Sequence, residues 1–315
     1  MRAARLIIGL VASALALGAC SADEEAPPAQ RVELPGTLWY MRGTTLMRYA
    51  HGTTTVIAHD IYPSTSVLPD GRIVAIASRG DGESGEQLAL IAPTGHITRL
   101  GPLAAQVRDP AVTSDGIVVA MNVDGHSELY RVAANGDTAR LTNNPEGNFH
   151  PSAAGNDVVY ASSRDGDSEI YKGAQRLTSF YKDDFDPVLS PDGRMIVFSS
   201  DREGVVRLFV MASDGTGLRR VTDRPVTDEG EESDPVFSRG GSMLAYVAGG
   251  HVFVRGQDET GHAVERDIGA GTSATFSPDG RWLAVATANG MLSVFPNNGG
   301  DPVPVAQGVS LVRWF

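Results

Sequence analysis

A short reversal motif recurs along this chain, and its spacing restricts the possible folds more than any other feature. It reads LPDGR at Gly71, TSDGI at Gly116, SPDGR at Gly193, SRGGS at Gly241 and SPDGR at Gly280. Each copy lies between short β-prone runs. Its aspartate, proline and glycine supply the preset and left-handed backbone that reverse a chain tightly. The clearest unit is 186–222, DPVLSPDGRMIVFSSDREGVVRLFVMASDGTGLRRVT, with runs at 188–190, 195–199, 205–211 and 218–221. These runs predict one four-stranded antiparallel meander.

A lone meander of this size has two open edges and too little apolar surface to stand alone, so it needs neighbours of its own kind. The motif glycines are 45, 77, 48 and 39 residues apart, and the gap of 77 holds two units because 150–178 is a copy with a shortened turn. Six copies therefore start near Val67, Val112, Ser152, Val188, Val236 and Thr275. Residues 36–58 look like strands two to four of a unit that lacks its first strand. Residues 310–315, SLVRWF, look like a first strand alone, with Trp314 standing where Phe237 and Phe276 stand in their copies. Joined, the two fragments make a seventh unit. The expectation is an all-β chain folded as a β-propeller of seven four-stranded antiparallel blades, with six as the alternative. The C-terminal strand would complete the N-terminal blade and leave no edge unpaired.

On these residues the chain resembles the TolB-type family of WD-like propeller repeats, whose unit reads roughly P-x-x-S-P-D-G-x-x-I-x-F-x-S-D-R-x-G-x-x-x-L-Y…D-G…L-T. The match is close in 186–222 and good in 109–142 (DPAVTSDG, ELYRVAANGD, RLT) and 150–178. It covers nearly everything after about Gly36. The resemblance implies the fold and leaves activity open, since propellers carry unrelated functions. TolB-type proteins have an α/β domain ahead of the propeller. None is expected here, nor the peptidase domain that follows some related propellers.

Residues 1–19 read as a signal peptide, with Arg2 and Arg5, an apolar run from Leu6 to Leu17, and small residues before Cys20. That run is short for a membrane span, which needs about 20 residues. Leu17-Gly18-Ala19-Cys20 resembles a bacterial lipobox, and Cys20 is the single cysteine, so lipidation at Cys20 is expected. Ser21 at the next position favours, by resemblance to lipoprotein sorting, the outer membrane facing the periplasm. Residues 20–35 are acidic and proline-bearing and read as a tether, leaving 36–315 as one propeller domain. Removing Arg2 and Arg5 with the signal takes the net charge from -12 to -14. So acidic a chain is a poor binder of phosphate backbones, which excludes nucleic acid as a partner.

Two sets of residues are candidates for function. Asp109-Pro110, His150-Pro151, Asp186-Pro187 and Asp234-Pro235 each precede an inner strand, so Asp109, His150, Asp186 and Asp234 should ring the upper mouth of the central channel. They read as turn caps, or as a cation or ligand site, since hard cations favour oxygen ligands. The second set is an acidic rim on the same face: Asp183, Asp184, Phe185, Asp186, Asp228, Glu229, Glu231, Glu232 and Asp234. Its summed field would attract a basic partner. There is no G-x-S-x-G elbow or paired-histidine metal spacing, so no catalytic residue is expected, and no cofactor. The expected function is a monomeric, lipid-anchored envelope scaffold that binds a protein or peptide of basic character through its top face. The alternative is a carbohydrate or small-ligand protein with its site, or a divalent cation, at the channel mouth.

Overall fold

The computed structural model describes residues 33–68, 70–78, 85–123, 125–223, 230–257 and 260–314. The signal peptide, Cys20 and most of the tether lie outside the described residues. Residues 33–315 form one compact unit, a ring of seven four-stranded antiparallel sheets. Blade 1 is β1 (Leu38–Arg42), β2 (Thr45–Ala50) and β3 (Thr53–Ala58), completed on the inside by β28 (Leu311–Trp314). Blade 2 runs from β4 (Ile61–Val67) to β7 (Ile97–Ala104). Blade 3 is β8 (Gln106–Thr113), β9 (Gly116–Val123), β10 (His126–Val132) and β11 (Thr138–Arg140). Blade 4 is β12 (Asn148–Ala154), β13 (Asp157–Asp165), β14 (Asp167–Lys172) and β15 (Gln175–Arg176), and blade 5 is β16 (Asp184–Leu189), β17 (Met195–Ser200), β18 (Arg207–Ala212) and β19 (Arg219–Arg220). Blade 6 spans β20 (Glu232–Phe237) to β23 (Ala263–Ala270), and blade 7 spans β24 (Ser273–Phe276) to β27 (Val303–Ala306). The pairing of β28 with β1, from Leu38 opposite Trp314 to Met41 opposite Leu311, decides for seven blades over six.

Each blade has a neighbour on both faces, so its second strand is apolar on both sides instead of alternating. IVAIAS (Ile73–Ser78) is buried through its first five residues. Seven apolar seams result, one between each pair of adjacent blades. The seam between blades 3 and 4 is the shortest, with Val118, Ala120 and Leu129 meeting Tyr160 and Tyr171.

The meander puts the turns after strands one and three on one face, called the bottom. The turns after strand two and the connections between blades lie on the top. Bottom turns are closed within themselves. Ser190 Oγ donates to Asp192 Oδ1 at 2.6 Å and accepts from Met195 N at 2.9 Å, while Gly193 takes φ +73°. Bonds from Ser190 and from Arg194 N hold the Asp192 carboxyl below the usual carboxylate range.

The inner strands differ from expectation in where they begin. The aspartate–proline pairs lie inside them, not ahead of them. β16 starts at Asp184, and its pairing with β17 skips between Phe185 and Val188. The same skip occurs between Arg108 and Ala111, Phe149 and Ser152, and Ser233 and Val236. Proline offers no N–H to the ladder and the residue before it is left-handed, so the pair bulges out and pairing resumes beyond it.

Candidate functional site: the channel mouth

The four bulges place one residue each at the top of the channel in four consecutive blades. Asp109, His150, Asp186 and Asp234 have φ of +51°, +48°, +51° and +50°. Asp and His are among the few residues other than glycine that enter this region with any frequency. The repeated conformation holds their side chains around one opening. Asp109, His150 and Asp186 line a cavity of about 280 Å³ together with Arg313. Asp234 and Arg313 line the main channel cavity of about 500 Å³ below it.

The imidazole is wedged between carboxylates from the two flanking blades. His150 Nδ1 bonds Asp186 Oδ1, and Nε2 lies 3.6 Å from Asp109 Oδ2. The bond to Asp186 raises the His150 pKa above the ordinary histidine range, against the effect of burial. Burial raises Asp109, and the Asp186 charge adds to it while His150 and Arg108 oppose. Asp234 is raised for the same reasons, with Arg313 opposing. Desolvation in the channel lowers Arg313, although the Asp234 charge resists. Water still reaches the site, since the Asp186 and His150 side chains are 48% and 47% exposed, so each pair contributes little to stability.

The cation form of the expectation is not supported. Among the described residues no group of three or more His, Cys, Asp or Glu is arranged to hold a metal ion. The two nitrogens of His150 are each directed at a different carboxylate. Such an imidazole is held between the acids instead of sharing an ion with them.

The acidic rim breaks into three parts. Asp183 and Glu231 are exposed, and Asp183 Oδ1 accepts from Ser168 N at 2.8 Å. Asp186 and Asp234 belong to the mouth, with Phe185 half-buried beside them. Asp184 and Glu232 are fully buried, turned away from the top surface. Both Asp184 oxygens take Arg202 Nη2 at 2.8 Å, while Glu232 accepts from Leu208 N at 2.9 Å and Thr222 Oγ1 at 2.5 Å. In a strand-start position an acid meets the blade interior, where it must be fully bonded. Asp228 and Glu229 lie outside the described residues.

Some top-face and channel residues were not anticipated. Arg313 enters the channel from the closing strand, and its signal was the lone charge in SLVRWF. Phe180 and Tyr181 sit together on the connection between blades 4 and 5, ring centroids 4.5 Å apart, with Tyr181 71% exposed. No sequence pattern distinguishes them from core aromatics such as Phe198 and Phe209.

No family model and no curated protein matches the chain. Solved structures do. TolB from Acinetobacter baumannii is similar with a TM-score of 0.55 and 17% identity over 89% of this chain and 66% of its own length. A putative TolB from Agrobacterium tumefaciens gives 0.54 and 23% over 78% and 94%. The Pseudomonas aeruginosa periplasmic gluconolactonase PpgL gives 0.60 and 18% over 88% and 98%. The chain thus spans slightly under two thirds of the Acinetobacter protein. At these identities the likeness establishes the fold: a TolB-like, seven-bladed propeller.

Proposed function

We propose that the protein is a non-catalytic binding scaffold of the bacterial envelope that receives a basic segment of a protein or peptide at the top mouth of its channel. The observation that carries this reading is the fourfold bulge, which aims three carboxylates, Asp109, Asp186 and Asp234, at one opening. A basic side chain entering there meets their field, and His150 sets how much of it remains. As pH falls, His150 becomes charged earlier than an ordinary histidine, and Asp109 and Asp234 then protonate earlier than ordinary carboxylates. Each step removes negative charge, so a basic ligand binds more weakly in acid.

An unstructured lysine-rich peptide, titrated by calorimetry, tests this. The double variant Asp186→Asn and Asp234→Asn keeps side chains that tolerate the left-handed backbone. It should bind roughly tenfold more weakly, on the basis of about 0.7 kcal/mol for each partly exposed charge pair. Affinity should also fall with salt and from pH 8 to pH 5. An unchanged affinity in the double variant, or no binding by the parent protein, refutes the reading.

Attachment at Cys20 through the LGAC sequence is part of the same proposal and rests on the sequence alone. Acylation there places several fatty chains on one residue, enough for stable anchoring where one is marginal. Cys20→Ala should abolish fatty-acid labelling and move the protein out of the membrane fraction. Retention in that fraction would sink the anchoring idea.

A further inference from the structure

Beside the mouth, on the top rim between blades 3 and 4, lies a groove of about 530 Å³ that shares Asp109 and His150 with the mouth cavity. Its origin is the short seam beneath it. Ala120 stands opposite Arg108 on β9, and so small a side chain leaves the upper part of the interface unfilled. The volume falls within the roughly 300–1,000 Å³ of small-molecule sites.

The walls have a specific chemistry. Gln106, Asn122 and Ser127 form one row across β8, β9 and β10, so their side chains project from the same face. Neither the Gln106 nor the Asn122 amide makes a hydrogen bond among the described residues, and Ser127 Oγ donates to Asn148 O at 2.9 Å, leaving it free to accept. Opposite them lies Phe149, 37% exposed. Its ring lies over Gly147, where a Cβ would fall 2.0 Å from Phe149 Cζ. Glycine therefore seats the ring as a platform.

Planar amides that both donate and accept match adjacent sugar hydroxyls, and an aromatic face packs against the C–H face of a pyranose ring. The charge balance narrows the class. Arg108 is bonded to Glu86 and to Val107 O, and His150 lies between Asp109 and Asp186, while Asp109 repels anions. Among the described residues, a phosphate or uronate finds Arg108 and His150 already paired with carboxylates. A peptide finds little apolar lining there beyond Phe149 and Ala120.

We propose that this groove is a binding site for a neutral saccharide of about two rings, distinct from the basic-segment site at the mouth. The ligand stacks one ring on Phe149 and hydrogen-bonds Gln106 and Asn122.

The test is calorimetric titration with cellotetraose, maltotetraose and the tetramer of N-acetylglucosamine, with tetragalacturonate as the acidic comparison. At least one neutral oligosaccharide should bind and the acidic one should not. Asn122→Ala should weaken that binding at least about tenfold, a change of roughly 1.4 kcal/mol. Gly147→Ala, which displaces the Phe149 ring without touching a polar group, should do the same. Tyr181→Ala, elsewhere on the top face, should leave it unchanged, and thermal melts verify that each variant is folded. The lysine-rich peptide should bind Asn122→Ala as it binds the parent, which separates this site from the mouth. Absence of binding by all three neutral oligosaccharides, equal binding of tetragalacturonate, or insensitivity to Asn122→Ala and Gly147→Ala overturns the proposal.

Discussion

A chain ending at Val309 is expected to be strongly destabilised, not merely to shed a tail. The six residues removed include β28, the innermost strand of blade 1. Val312 and Trp314 are almost fully buried in the seam between blades 7 and 1, against Leu38, Tyr40, Leu292 and Val294. Trp314 Nε1 also donates to Pro35 O at 2.5 Å, tying the start of the domain to its end. Removing a buried tryptophan alone costs about 3–5 kcal/mol, against a typical total stability of about 5–15 kcal/mol. The truncation would also leave β1 as an open edge facing the channel, a template for association with other chains. With about 2–4 °C lost per kcal/mol in larger domains, the melting midpoint should drop by more than about 10 °C, accompanied by aggregation. Circular dichroism melts of the truncated and full-length proteins decide it. Coincident midpoints would mean that the ring does not depend on its closing strand.

The closure was legible because two sequence fragments, 36–58 and 310–315, were each incomplete in complementary ways. Blade number followed from turn spacing, since the SPDG turns are governed by local chemistry: the serine–aspartate bond and a left-handed glycine need nothing from the rest of the fold. The inner-strand starts were misplaced by a few residues because proline reads as a boundary, whereas a bulge lets it sit inside a strand. The channel mouth was legible as a set of equivalent positions in four units, and the structure brings Asp109, His150, Asp186 and Asp234 to one opening. The wedging of His150 between two acids was not legible, because it depends on the distance between blades. Glu232 and Asp184 read as members of the partner-facing acidic rim because an acidic run in a loop looks the same whether one member turns inward or not. The trace of Glu232 lies in the preceding unit, whose Thr222 it bonds, an acid–threonine pairing that recurs in blades 3 and 4.

That pairing contributes to the stability of the blades it joins. Glu169 on β14 is fully buried, and its carboxylate accepts from Thr178 Oγ1 at 2.5 Å, Arg176 Nη2 at 2.6 Å and Phe180 N at 2.7 Å. Glu128 on β10 does the same in blade 3, taking Thr142 Oγ1, Arg140 Nη2 at 2.7 Å, Asn144 N at 2.8 Å and Asn148 Nδ2 at 2.9 Å, the last from the first strand of blade 4. The ELY…RLT and EIY…RLT segments therefore encode a clasp that pins the outer strand and the chain leaving it. In blade 5 the corresponding position holds Arg207, and Thr222 is clasped instead by Glu232 from blade 6. In these three blades the threonine is kept while the acid comes from either side of the seam; in blade 2, where RLG stands in place of RLT, the buried Glu86 accepts from Val107 N and Arg108 instead. Glu169→Ala would leave the Thr178 hydroxyl and the Phe180 N–H without their acceptor in a water-poor site and remove the partner of Arg176. Arg176 is exposed, so the cost comes mainly from the two orphaned donors, about 1–3 kcal/mol each. Glu169→Gln keeps the shape and one acceptor oxygen, so its cost should be smaller, nearer the roughly 1–3 kcal/mol of an imperfectly met buried polar group. Urea denaturation of the two variants should give midpoints in the order parent, Gln, Ala, with the Ala variant well separated from the parent. An alanine variant as stable as the parent would reduce the clasp to an incidental contact and return the work of holding blades 4 and 5 together to the apolar seam of Ile170, Phe198 and Phe209.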